Sequence, residues 1–502
     1  MDEGGFFLPR KLPIFYSALL LTGVNLLLRF VGTSFQVYIS NQLGPAGVGL
    51  LQLVMSVGGL AMVAGMAGIR TSTMYLTAEE LGKRQPQNVR WILSGCYLYS
   101  ILCSGAVGFL LYTFAPQIAK NWIGNIETLG ALRLCAAFLP CTCLCGVMTG
   151  YFTAANRIST LAAVEVAEQA TSMAITMAAL KFWAGADPGR ACQCVVFGSG
   201  AGAVLTLLCL IWLRFREHPL PGQPIRVAHR LRSTAVPLAV ADVAKSGINT
   251  VENLMVPKRL ALHGATANPL AAFGTVSGMV FPIVVFPACI LFALAELLIP
   301  ELARCAAGGS QSRIQYLVKR ALRVAMLYGV TFCGILFLCA EELCLQLYNN
   351  QDAGAQLKLY ALMIPMLYCD SITDAMTKGL GQQKICVRYN ILTSALDVAF
   401  LYLLLPKYGM MGYFLSFFLT HLLNFLLSLG RLIKITGQKI PLHVPLLTIA
   451  AAIAALWGAS GFGSPVIRCA VYLASLGSLL YLFRIVRRED GTWIKGLIRI
   501  RA

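Results

Sequence analysis

The residues of this sequence able to do chemistry are ionisable side chains set inside apolar stretches. Arg29, Arg70 and Lys245 are cations within such runs. A charge at mid-membrane depth costs about 2.5–3.5 kcal/mol on insertion scales, so each calls for a partner or a wet cavity. Arginine presents a planar fork of donors that matches phosphate oxygens, which makes Arg29 a candidate for holding an anion. The same runs carry Glu165, Glu168, Asp242, Glu252, Glu296, Asp370, Asp374 and Asp397. Asp370 and Asp374 are four apart and share one face of a helix. Two carboxylates so placed repel unless a cation or a proton sits between them. With Asp242 and Asn390 adding oxygens, the set suits a hard cation such as Na⁺.

A simpler reading competes at each position. Arg29 and Arg70 can snorkel toward head groups. Asp242 and Lys245, three apart, can neutralise each other. Asp370 and Asp374 can pair with Lys378, Lys384 or Arg388 near a helix end. Glu165 and Glu168 have Arg157 within reach, and Glu252 has Lys258 and Arg259. His421 stands alone in its run, either packed and hydrogen-bonded or part of a proton relay.

Other chemistries fail on spacing. The CTCLC stretch at 141–145 puts sulfurs two apart, which on a helix point away from each other, so one metal could not collect them. Cys192 and Cys194 fail for the same reason. GSGAG at 198–202 lies inside an apolar run with no Lys-Ser/Thr after it, so it reads as close helix packing rather than a phosphate loop. Catalytic and metal sites, and cofactors, are therefore not expected.

The elements that position these residues follow from composition. The 502 residues are 58% hydrophobic and 12% charged, with mean hydropathy +0.72. That is too little charge to cover a soluble protein of this size. Apolar runs of 18 or more residues recur from end to end and can cross a bilayer. They are continuous rather than alternating, as in LLTGVNLLL, so helices are expected and not barrel strands. The spans fall near 12–38, 47–76, 91–114, 129–153, 158–181, 191–213, 233–257, 269–297, 321–340, 356–377, 385–405, 410–430, 442–459 and 466–485. The net charge of +19 would suggest nucleic acid in a soluble chain. Here the basic residues sit in short loops on alternate sides, and the positive-inside rule explains them, with both termini in the cytoplasm and no nucleic-acid partner. The 17 cysteines lie mostly in apolar runs and read as small hydrophobes, not as a disulfide framework.

LPCTCLCGVMTGYFTAANRIS around the fourth span and IPMLYCDSITDAMTKGLGQQKIC around the tenth align Pro140 with Pro365, at a spacing of about 225 residues. Six spans separate the copies, so both enter the membrane the same way and the repeat is parallel. This gives an all-α polytopic membrane protein of about fourteen transmembrane helices. Residues 1–216 form an N-terminal six-helix lobe and 217–232 a basic cytoplasmic linker. Residues 233–435 form a C-terminal six-helix lobe, and 436–502 two extra helices with a basic tail.

AVPLAVADVAKSGINTVENLMVPKRLALHG and FGTVSGMVFPIVVFPACILFALAELLIPELAR, with LLLRFVGTSFQVYISNQLGPAGVGLLQLVMSV near the N-terminus, resemble the stage V sporulation protein B group. That group belongs to the polysaccharide-exporter branch of the multidrug/oligosaccharidyl-lipid/polysaccharide superfamily. The resemblance implies two six-helix lobes facing each other in a V, and a flippase for an undecaprenyl-diphosphate-linked sugar in the cytoplasmic membrane. Arg29 and Lys245, on pseudo-equivalent helices, would then hold the diphosphate, with Arg70 as a third cation. Asp242, Asp370, Asp374 and Asn390 would resemble the cation site of lipid II flippases, for Na⁺ or H⁺ coupling. One chain with two lobes can work as a monomer. Arg70 in AGIRTSTMYL is a departure, since relatives often have proline there in a GIP-type sequence. Two readings stand behind the flippase: a drug/cation antiporter of the same superfamily, and a membrane glycosyltransferase or polymerase, which the short outer loops disfavour.

Overall fold

Buried backbone in an apolar environment must bond to itself, and the continuous runs do so as helices. The computed structural model describes residues 14–83, 85–185, 187–216, 227–264, 266–438 and 443–485. Most of the expected basic linker and the tail beyond 485 lie outside them. In chain order the helices are α1 (Ile14–Met66), α2 (Ile69–Gly82), α3 (Val89–Gln117), α4 (Leu129–Ala154), α5 (Ile158–Ala179) and α6 (Pro188–Phe215). They continue with α7 (Val227–Ala261), α8 (Pro269–Gly274), α9 (Phe281–Val285), α10 (Ala288–Ala307) and α11 (Gln311–Tyr348). The last are α12 (Gln351–Ala361), α13 (Ile364–Gly379), α14 (Gln383–Thr436), α15 (His443–Ser460) and α16 (Pro465–Leu482).

The protein is a polytopic membrane protein. Among the described residues eight helices are long and apolar enough to cross a membrane, or nine if the bent stretch from Pro269 to Ala307 is one span. Two helices are too long for a single crossing of roughly 30 Å. They are α1 with 53 residues and α14 with 54, and each kinks where glycine takes a positive φ, at Gly44 (67°) and Gly409 (56°). Pro45 and Pro406 lie beside those kinks. The second span also breaks: Ala67 and Gly68 take positive φ between α1 and α2, so the bend is present with arginine at position 70.

The chain forms two compact units, one running through Lys258 with Asn268–Gly274, the other Arg259–Ala267 with the chain from Thr275 onward. Most of α7 thus belongs to the first unit. There Arg230 donates to Glu79 and to the buried Glu80, each at 2.8 Å, and Asn88 donates to Glu80 at 2.9 Å, tying the start of α7 to the end of α2. Farther along α7, Thr250 donates to the Ser56 carbonyl (3.1 Å) and Asn253 to the Ser56 hydroxyl (2.9 Å). Small residues let the helices close. On α4, a Cβ at Gly150 would lie 2.5 Å from the Arg70 carbonyl, and Gly198, Gly200 and Gly202 of the GSGAG stretch face Thr176, Phe138 and Ser172. In the second unit, α16 docks on α11. Tyr472 donates to the Val330 carbonyl at 2.8 Å, Arg468 pairs with Glu342, and the Cys339 and Cys469 sulfurs are 3.0 Å apart.

The repeat is written in the backbone. Gly124 and Asn349 are 225 positions apart and both take positive φ, and each precedes an asparagine, Asn125 or Asn350, whose side chain caps the next turn. Asn156 and Gly381, again 225 apart, both take positive φ. Gly185 (φ 57°, ψ −141°) and Gly409 (φ 56°, ψ −133°) share one unusual conformation at a helix junction. Gly49 and Gly274 are also 225 apart and touch each other. A Cβ on Gly49 would run into the Leu270 carbonyl, and one on Gly274 into the Pro45 carbonyl. Leu270 and Pro45 carry the same offset, so this contact within the first unit is reciprocal.

Candidate functional site

The second segment of α14 carries Ser416, Thr420, Asn424 and Ser428 at four-residue intervals, hence on one face. All four are buried. Two carboxylates meet that stripe. Asp397, on the first segment of α14, is 5% exposed and accepts from the Ser416 hydroxyl at 2.6 Å and from Thr420 at 3.2 Å. Asp370, on α13, is 8% exposed, and both its oxygens accept from Asn424 Nδ2, at 3.0 and 3.1 Å. His421 Nδ1 lies 3.9 Å from Asp370 Oδ2, with its ring tilted against Phe417 at 4.2 Å between centroids. Neither Asp370 nor Asp397 has a lysine or arginine partner among the described residues.

Aromatic rings close the region beside Asp397. Tyr360 packs on Phe281 (5.3 Å) and Phe414 (5.4 Å), and Phe417 lies 6.2 Å from it. Tyr360 is wholly buried, yet among the described residues its hydroxyl has no hydrogen-bond partner. The Asn424 Oδ1 is buried and likewise has no partner among the described residues.

The residues singled out from the sequence divide between the units. Arg29, Arg70, Asp242 and Lys245 are all in the first and all exposed rather than packed into its interior. Asp242 and Lys245 form no ion pair with each other. Arg70 lies within electrostatic reach of Glu165, and Glu168 accepts from Thr206 at 2.9 Å at the edge of a 290 Å³ cavity between α5 and α6. Lys258 donates to the Asn121 carbonyl, and Arg259 stacks over Tyr402 at 3.2 Å. Asp370, Asp374 and Asn390 are in the second unit. The shared-face pair separates there. Asp374 takes the simpler course and bonds Lys378 at 2.6 Å, whereas Asp370 turns to α14. Asn390 is half-buried and makes no hydrogen bond to either among the described residues. No cluster of three or more metal-ligating side chains occurs among the described residues.

The sequence names Asp397 among the acids of apolar runs without assigning it a role, and does not single out its partners Ser416 and Thr420. Their signal is present in hindsight, as a polar residue at every fourth position of an otherwise apolar run.

Comparison with known proteins follows the same lines. A family described as polysaccharide biosynthesis protein matches residues 15–304. The chain is 22% identical over 505 residues to stage V sporulation protein B of Bacillus subtilis (strain 168), covering 94% of this chain and 96% of that protein. Its structure resembles that of the lipid II flippase MurJ in an inward closed conformation, with TM-score 0.72 and 13% identity over 93% of this chain and 98% of that one. It also resembles an inward-facing multidrug resistance MATE family transporter, with TM-score 0.66 and 13% identity over 84% of this chain and 100% of that one. At such identity these two likenesses speak for the fold.

Proposed function

Because this chain belongs to the polysaccharide biosynthesis protein family, we propose that it is a flippase for an undecaprenyl-diphosphate-linked oligosaccharide. It carries the sugar across the cytoplasmic membrane by alternating access, with both termini in the cytoplasm. The observation that carries the reading is the exposure of Arg29, Arg70 and Lys245 on helices of the first unit. Cations exposed at membrane depth and facing lipid would each be costly, so they belong beside water, where a diphosphate can reach them. Arginine contributes the fork that grips phosphate oxygens in pairs, and lysine a point charge. The residues act by binding and orientation; no bond in the substrate is made or broken. An ion gradient or the membrane potential supplies the energy, since a unit charge moved through 100 mV is worth about 2.3 kcal/mol.

The chain purified in lipid nanodiscs is expected to retain undecaprenyl-diphosphate-linked sugar, with binding that weakens as salt rises. Undecaprenol, which lacks the diphosphate, should not compete. Equal retention of the two lipids would remove the anion from the account. The likeness to a multidrug transporter fold supports a second reading, export of organic cations. Efflux of such a dye from vesicles holding no lipid-linked sugar would favour it.

A further inference from the structure

A cysteine packed as a small apolar group has only a weak thiol donor to satisfy, and backbone serves for that. Cys145 meets the Ala203 carbonyl at 3.1 Å and Cys192 the Gly47 carbonyl at 4.0 Å. One pair is arranged differently. Cys339, near the end of α11, and Cys469, near the start of α16, face each other with their sulfurs 3.0 Å apart. They are 130 positions apart in the chain, so helix packing and not a local turn makes the contact.

The surrounding contacts hold the two helices in that register. Arg468, the neighbour of Cys469, pairs with Glu342 and donates to the Leu338 carbonyl at 3.1 Å. Farther along α16, Tyr472 donates to the Val330 carbonyl, and its ring occupies the place of a Cβ on Gly334. The α11 residue at that crossing is therefore one that lets α16 come close. A disulfide sets its sulfurs about 2.05 Å apart, so the remaining approach, about 1 Å, is within the reach of side-chain rotation.

We propose that Cys339 and Cys469 form a disulfide that staples α15 and α16 to the second unit at the outer face of the membrane. These two helices come after both copies of the repeat and pack on each other and on α11. A covalent link between α11 and α16 holds the pair in place. With both termini in the cytoplasm, α11 runs outward and ends soon after Cys339, and α16 enters from the same side just before Cys469. That side is the oxidising one, where disulfides persist. The placement at the outer face rests on the orientation proposed above; the facing of the two sulfurs does not.

The oxidant is a disulfide donor, either a thiol–disulfide oxidoreductase or a small-molecule disulfide. One cysteine thiolate attacks the donor, forms a mixed disulfide and releases the first donor thiolate. The second cysteine attacks the mixed disulfide at the chain's own sulfur and releases the other. The chain gives up two electrons and two protons, and the donor disulfide becomes two thiols. Both cysteines are half-buried rather than sealed in the interior, which leaves a sulfur for the donor to reach. The bridge closes a long loop that takes in α12 to α15, so it restrains the unfolded chain and favours the folded one.

The full chain in nanodiscs, reduced and freed of reductant, would be exposed to oxidised glutathione, alkylated at its remaining thiols and digested without reduction. The peptides carrying Cys339 and Cys469 should be found joined, and should separate on reduction. Cys339→Ser and Cys469→Ser should each abolish the joined peptide. Reduction should lower the melting temperature of the oxidised chain and leave that of either variant in place. Alkylation of both cysteines in the unmodified chain, or glutathione adducts with no joined peptide, would overturn the bridge, and neither result needs a variant. A bridge that leaves the melting temperature where it was would overturn the staple. Orientation is read separately. Asp352→Cys, exposed at the start of α12, should gain labelling by an impermeant maleimide added to intact cells. A joined peptide without that labelling would overturn the outer-face placement alone.

Discussion

Replacing Arg29 with alanine should abolish flipping of a diphosphate-linked lipid while the chain still inserts and folds. Arg29 is exposed on α1, and substitutions at exposed positions usually cost little stability. Losing two charge-assisted bonds to phosphate, at about 1.5 kcal/mol or more each, lowers the transport rate by a hundredfold or so. Arg29→Lys keeps the charge and loses the fork, and should retain an intermediate rate. Initial rates in proteoliposomes, normalised to inserted protein, report the effect. A full rate in Arg29→Ala would show that the cation does not hold the substrate.

Gly274→Val should have the largest effect on folding. Gly274 and Gly49 cross backbone to backbone, and a Cβ on Gly274 would sit 2.5 Å from the Gly49 nitrogen as well as against the Pro45 carbonyl. Both obstacles are main chain and cannot swing aside. Overpacking alone costs about 1–3 kcal/mol, and a branched side chain at a backbone crossing lies at or beyond the upper end. The variant should lose most of its folded yield, measured by monodisperse elution in detergent. Gly247→Val, where nothing lies within 4 Å of the added Cβ, is the matched control and should elute like the unmodified chain.

The helices were legible because the apolar runs are long and unbroken, and the parallel repeat because Pro140 and Pro365 sit in similar surroundings at the right spacing. The structure sharpened that repeat through residues whose role is conformational. Gly124 with Asn349, and Gly185 with Gly409, share backbone angles rather than a sequence motif. The site was half legible. Asp370 stood out as a charge in an apolar run, but its partners Asn424 and His421 are more than 50 positions away, and helix periodicity carries no information about which stripe faces which. Asp374 looked equivalent to Asp370, yet its distance to Lys378 decided differently. Asp397 was one of several acids in spans until Ser416 and Thr420 were brought against it.

Translocation itself gives the most direct test. Proteoliposomes would be loaded with a lipid-linked sugar accessible only from the inner leaflet, and an impermeant glycosidase outside would report its arrival. The account predicts time-dependent cleavage that requires this chain and is lost in Arg29→Ala. Cleavage no faster than in protein-free vesicles, from protein shown to be inserted and folded, would contradict it.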